Sequence, residues 1–108
     1  MKNTCTGADL IIENIALNDE TYTKAHLDTY PLNDRQVYNL AEALKKNSYL
    51  NYINLFDCHL SEGNLRLIID ALKKNKGIKH VIINEDIGEN LFQEIIDAVS
   101  ITKLSPKL

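Results

Sequence analysis

At 108 residues, 44% hydrophobic and 25% charged, the chain suits one folded domain with a buried core, not a disordered tail. Its formal net charge of -3 and pI near 5.5 argue against a nucleic-acid binder, which would carry a basic stripe. Two cysteines, Cys5 and Cys58, with no CxxC pair, are too few for a disulfide scaffold and point to a reducing compartment.

The leader from Met1 to Gly7 is polar, and the first apolar run, Leu10 to Leu17, is broken by Glu13 and Asn14. That is neither a signal peptide nor a membrane span, and it predicts a lone helix over 8–18. The residue types leave open a secretion signal of another kind, such as one at the C-terminus. Ala25-x-Leu27 alternates weakly and predicts a strand at 24–28. Val37, Leu40, Ala43 and Leu44 step by three and four, which predicts an amphipathic helix over 33–47. Asn33 serves as its N-cap, Asp34 puts negative charge in the first turn, and Asn47 marks the stop. Ile53-x-Leu55 predicts the next strand at 52–56. Leu65, Ile68, Ile69 and Leu72 predict a helix over 61–76, capped by Ser61, with Glu62 in its first turn and Asn75 and Gly77 at its end. Val81-x-Ile83 predicts a strand at 80–84, and Phe92, Ile95, Ala98 and Val99 a last helix over 89–101. The runs Lys45-Lys46-Asn47 and Lys73-Lys74-Asn75-Lys76 read as helix ends, where cations complement the dipole.

These elements repeat. Leu50, Ile53, Leu55, Cys58, Leu60, Leu65, Ile68, Ala71, Leu72, Asn75 and Ile78, moved back by 28, fall on Tyr22, Ala25, Leu27, Tyr30, Leu32, Val37, Leu40, Ala43, Leu44, Asn47 and Leu50. A third copy starts at Ile78 and is one residue shorter in the turn after Ile83. Strand–helix–strand units of this length make parallel neighbours with a right-handed crossover, and a constant period piles each unit on the last.

Leu50-x-x-Ile53-x-Leu55-x-x-Cys58-x-Leu60, followed by Gly63, Ile68-x-x-Ala71-Leu72 and Asn75, resembles the leucine-rich repeat of the ribonuclease-inhibitor type. The resemblance covers roughly residues 22–104. It implies an α/β fold: a right-handed leucine-rich-repeat solenoid of three parallel strands, with helices on the convex side and an N-terminal capping helix. It divides a single domain, 1–108, into a helical cap at about 8–21 and repeats at about 22–49, 50–77 and 78–104. Leu104 and Leu108 would cover the far end. Tyr30 with Pro31 in the first copy, and Asp86 in the third, depart from the Asn or Cys of the pattern. The tropomodulin C-terminal domain, an actin-binding relative, shares the repeat type, and no residue here singles it out. The Asn-, Lys- and Ile-rich wording also resembles secreted effectors of intracellular bacteria.

In that architecture, alternate strand residues face the concave surface. In register they form the rows Lys24–Tyr52–His80, His26–Asn54–Ile82 and Asp28–Phe56–Asn84. An aromatic and apolar middle inside a polar ring is how interface centres are built, so Tyr52 and Phe56 stand as anchors. The bland alternative for Phe56 is packing beneath the following turn. Tyr22, Tyr38 and Tyr49, near helix starts and ends, read as packing.

Enzyme chemistry finds no constellation. His26 and His80 lie on strands separated by the middle one, so at strand spacing they are roughly 10 Å or more apart and cannot share an ion. His59 sits in a turn further off. Cys58 beside His59 invites a nucleophile–base reading, but position 58 is the repeat's buried ladder position, where a thiol is inert. No GxSxG occurs, and Gly7, Gly63, Gly77 and Gly88 stand alone, without a phosphate loop. The expectation is a non-catalytic protein–protein interaction module, with no metal or cofactor, binding a protein partner through the concave face and neither nucleic acid nor membrane. Two alternatives stand beside it. One is a structural or self-associating unit, weakly homo-oligomeric through its sheet edges. The other is a fragment of a bacterial effector secreted into a host cell and aimed at a host protein. The compartment expected is the cytoplasm, of the producing cell or of the host.

Overall fold

The computed structural model describes residues 7–84 and 87–99. In chain order the elements are α1 (Gly7–Leu17), β1 (Lys24–His26), α2 (Asp34–Lys46), β2 (Tyr52–Asn54), α3 (Glu62–Lys74), β3 (His80–Ile82) and α4 (Glu89–Val99). The strands form a parallel sheet in the order β1-β2-β3. Lys24 pairs with Tyr52 and Tyr52 with His80, so the register follows the 28-residue offset. Each strand is three residues long, shorter than the five expected. The pairing still runs on past β1 and β2, because Leu27 N–H donates to Asn54 O and Leu55 N–H to Ile82 O.

The helices form where cap and apolar spacing agree. Asn33 Oδ1 accepts from Gln36 N–H at 2.8 Å and Gln36 Oε1 accepts from Asn33 N–H at 2.9 Å, a reciprocal capping box at the start of α2. Ser61 Oγ accepts from Asn64 N–H at 3.2 Å at the start of α3. α2 buries Val37, Leu40, Ala41, Ala43 and Leu44, and α3 buries Leu65, Ile68, Ile69, Ala71 and Leu72. These faces meet the middle strand residues Ala25, Ile53 and Val81, all at 0% exposure, in one core. Truncating a fully buried Ile53 to alanine in such a core costs about 2–5 kcal/mol. α1 closes one end of the core with Ala8, Ile12 and Ile15.

α2 and α3 stop where Asn47 and Asn75 mark them. Asn47 and Asn75 have extended backbone, with φ of -77° and -82°, not a left-handed cap. Their side chains do the work instead. Asn47 Nδ2 donates to Ile15 O, and its Oδ1 accepts from Tyr49 N–H and Leu50 N–H. Asn75 Nδ2 donates to Leu44 O and Asn47 O, and its Oδ1 accepts from Gly77 N–H and Ile78 N–H. Each asparagine ties the end of its own helix to the end of the helix before it, while folding the next turn. At Gly77, in the second turn, a Cβ would sit 3.0 Å from Leu50 O, a tight approach of backbone to backbone.

The expectation of a leucine-rich-repeat solenoid is corrected. The described residues make a small domain of four helices and a three-stranded parallel sheet. The Cα radius of gyration, 12.9 Å, is that of a compact single domain, for which about 13 Å is usual at 100 residues. A solenoid takes its extended shape from many units that touch only their neighbours. Here α1, three strands and three helices close around one core. The end of the last expected helix, the end of the third expected repeat, Leu104, Leu108, Cys5 and Asp86 lie outside the described residues.

Candidate functional site

Alternation along the strands sends Ala25, Ile53 and Val81 into the core and leaves their neighbours on the other sheet face. Lys24, His26 and His80 are exposed there, and Tyr52, Asn54 and Ile82 are half-buried. Tyr52 is the centre of this face. The Lys24 ammonium sits 5.8 Å from its ring centroid, in cation–π range. The His26 ring lies 5.2 Å from it, centroid to centroid, tilted by 49°. Asn54 Nδ2 reaches the Tyr52 hydroxyl at 3.4 Å. The ring is therefore held from three sides while part of it stays wet.

The third expected row, Asp28, Phe56 and Asn84, lies beyond the strands, in the turns that follow them. Phe56 is 40% exposed, so it is not tucked away as packing. Asn54 and Asn84 have a second task. Asn54 Oδ1 accepts from Phe56 N–H at 3.0 Å, and Asn84 Oδ1 accepts from Asp57 N–H at 2.8 Å. These contacts brace the turn in which Asp57 adopts left-handed backbone, at φ of 61°; Thr29, at φ of 67°, does the same in the turn after β1, where its N–H donates to Phe56 O at 2.8 Å. The two are 28 apart in sequence, yet neither is a glycine. No composition signal marked them.

Tyr22 packs against the core, and burial raises its phenol above the ordinary value. Tyr38 and Tyr49, expected as packing, are 56% and 44% exposed. Tyr38 falls on the outer face of α2, away from the apolar stripe, and Tyr49 on the turn before β2.

Cys58 is buried, and its thiol donates to Leu27 O at 3.1 Å. Burial above all pushes it up to about 12, helped by the Asp28 and Asp57 carboxylates and opposed by a backbone hydrogen bond at Tyr30. Such a thiol is neutral at physiological pH and does not act as a nucleophile. Among the described residues, no three His, Cys, Asp or Glu side chains come together as metal ligands. No described helix is long and apolar enough to cross a membrane.

A small α/β domain with this order of elements has counterparts among solved structures. One is a tropomodulin C-terminal domain from Caenorhabditis elegans, with a TM-score of 0.72 and 13% identity over 92% of this chain and 63% of that one. Another is the actin-binding site 2 of leiomodin-1, with a TM-score of 0.71 and 20% identity over 94% of this chain and 62% of that one. At these identities the likeness establishes the fold. The chain spans less than two thirds of the length of either. No family model matches the chain, and no curated protein matches its sequence. The ribonuclease-inhibitor-type assignment is corrected on this finding: the shared architecture is that of tropomodulin and leiomodin domains. Neither neighbour is a bacterial effector.

Proposed function

We propose that the chain is a non-catalytic protein-binding domain that docks a protein partner on the sheet face centred on Tyr52. The observation that carries this reading is the Tyr52 ring held by Lys24, His26 and Asn54, an aromatic anchor that is pre-ordered yet accessible. A fixed, half-wet tyrosine loses little side-chain entropy on binding, which is why such residues dominate interfaces. Around it stand Asp28, Phe56, His80, Ile82 and Asn84.

Actin is the first partner to test, because a neighbour in fold is described as an actin-binding site. Fluorescence anisotropy with monomeric actin and co-sedimentation with filaments measure it. The Tyr52→Ala/Phe56→Ala double variant is expected to weaken binding by about 2–4 kcal/mol while keeping its melting temperature within a few degrees. Equal affinity of the folded variant rejects the sheet face. No binding by the unaltered chain rejects actin. Self-association through β1 and β3 is disfavoured, because edge strands this short, one led by an exposed lysine, are poor templates for a further strand.

A further inference from the structure

The charges of the domain are sorted by edge. Among the described residues there are nine lysines and arginines, and seven of them lie where the helices end and the strands begin: Lys24, Lys45, Lys46, Lys73, Lys74, Lys76 and Lys79. The opposite edge, where strands end and helices begin, carries Asp28, Asp34, Asp57, Glu62 and Glu89. A net charge of -3 conceals this separation.

Complementing helix dipoles explains part of the basic edge, since Lys45, Lys46, Lys73 and Lys74 lie in the last turns of α2 and α3. It does not explain Lys76 and Lys79, which lie past the helix and next to the sheet. Only part of the charge is spent internally: Lys45 holds the Glu42 carboxyl below its ordinary value, and Lys46 adds to that attraction. Lys45 pairs with Glu42 at 2.9 Å and Lys73 with Glu94 at 3.7 Å. Lys46, Lys74, Lys76 and Lys79 make no ion pair with any described residue. Asp19 and Glu20 occupy the equivalent turn before β1, so the basic stretch belongs to the two later joints.

Geometry gathers these cations. The Asn75 clasp binds the end of α3 to the end of α2. Between the two ends lies a shallow cleft of about 250 Å³, lined by Lys45, Lys46, Ser48, Lys74 and Lys76 together with Asn47 and Gly77. Several unpaired ammonium groups around one depression make a positive potential that a carboxylate chain relieves. We propose that this lysine-lined cleft and edge take an acidic, carboxylate-rich segment of the protein partner. The inference rests on the protein-binding reading and adds a second contact area, continuous with the sheet face through Lys79 and His80.

The test uses a labelled Glu/Asp-rich peptide and not actin, so its failure leaves the sheet-face reading standing and can be told apart from that reading's failure. Anisotropy is read for the unaltered chain, for Lys46→Glu/Lys74→Glu/Lys76→Glu, and for the milder Lys46→Gln/Lys74→Gln/Lys76→Gln, each checked by circular dichroism. Expected are binding at low salt, roughly tenfold weakening between about 50 mM and about 300 mM salt, and at least roughly tenfold loss in the charge-reversed variant. The Gln variant is expected to lie between the two. Equal binding of an uncharged Gln/Ser peptide, unchanged binding by both variants, or tighter binding to phosphatidylserine vesicles than to the peptide overturns the proposal.

Discussion

Two joints in the molecule are built on the same residue in the same place and differ in how completely it is used. Asn75 makes four hydrogen bonds, two of them across to α2, at Leu44 O and Asn47 O. Asn47 makes three, with a single one across, to Ile15 O at the end of α1. Asn18 completes the second joint by accepting from Ser48 N–H at 2.7 Å, and it adopts left-handed backbone at φ of 55° to do so. A complete helix–turn–strand unit thus clasps its neighbour with one side chain. The end unit needs two, because α1 has no strand before it among the described residues.

That difference can be broken in graded steps. Asn75→Ala removes the side-chain partner of Asn47 O, Gly77 N–H and Ile78 N–H and leaves Leu44 O with only the long bond from Asn47 N–H, and it is expected to cost about 3–4 kcal/mol, measured by urea unfolding. Asn47→Ala is expected to cost about 2–3 kcal/mol, less because one cross-joint bond is lost instead of two. If Asn47→Ala proves the costlier, the end joint and not the middle one holds the domain. Next in size is a gain. Thr29 is β-branched and left-handed, a strained combination, so Thr29→Gly is expected to stabilise by about 1 kcal/mol and raise the melting temperature by about 4–8 °C. The smallest effect belongs to the outer rim. Arg66 reaches Glu94 at 3.1 Å, but its side chain is half-exposed, so Arg66→Ala is expected to shift stability by no more than about 0.5 kcal/mol.

Cys58 adds a pH dependence. Its folded thiol, near 12, lies above the unstructured value of 9.0, so the native state holds its proton where the unfolded state has lost it. Its contribution is therefore complete below about 9 and is lost as pH rises from about 9 towards about 12. Unfolding curves across that window check the sign. A Cys58→Ala variant, weaker at neutral pH, is expected to lack this part of the fall.

The places of the elements were legible because period and cap agreed. The spacing predicted helices over 33–47 and 61–76, and they run Asp34–Lys46 and Glu62–Lys74. Asn47 and Asn75 were visible as matching stops, but their chemistry was not, since a left-handed cap and a side-chain clasp leave the same letter. The solenoid drawn from the period was wrong. Regular spacing records that units stack; it does not record how few units close into a compact core. Thr29 and Asp57 were missed because left-handed backbone is ordinarily read from Gly or Asn. Tyr52 and its neighbours could be named from alternation, while the contacts that hold its ring could not. The runs Lys45-Lys46 and Lys73-Lys74-Asn75-Lys76 were taken one helix end at a time, and only the fold brings the two ends side by side.

The most direct test of the sheet-face account is hydrogen exchange of the chain alone and saturated with actin. The account predicts slowed exchange in the segments 24–29, 52–57 and 80–84, with the outer faces of α2 and α3 unchanged. Protection confined to the helices around Tyr38 and Leu67, with the strand segments exchanging as in the free chain, would contradict it.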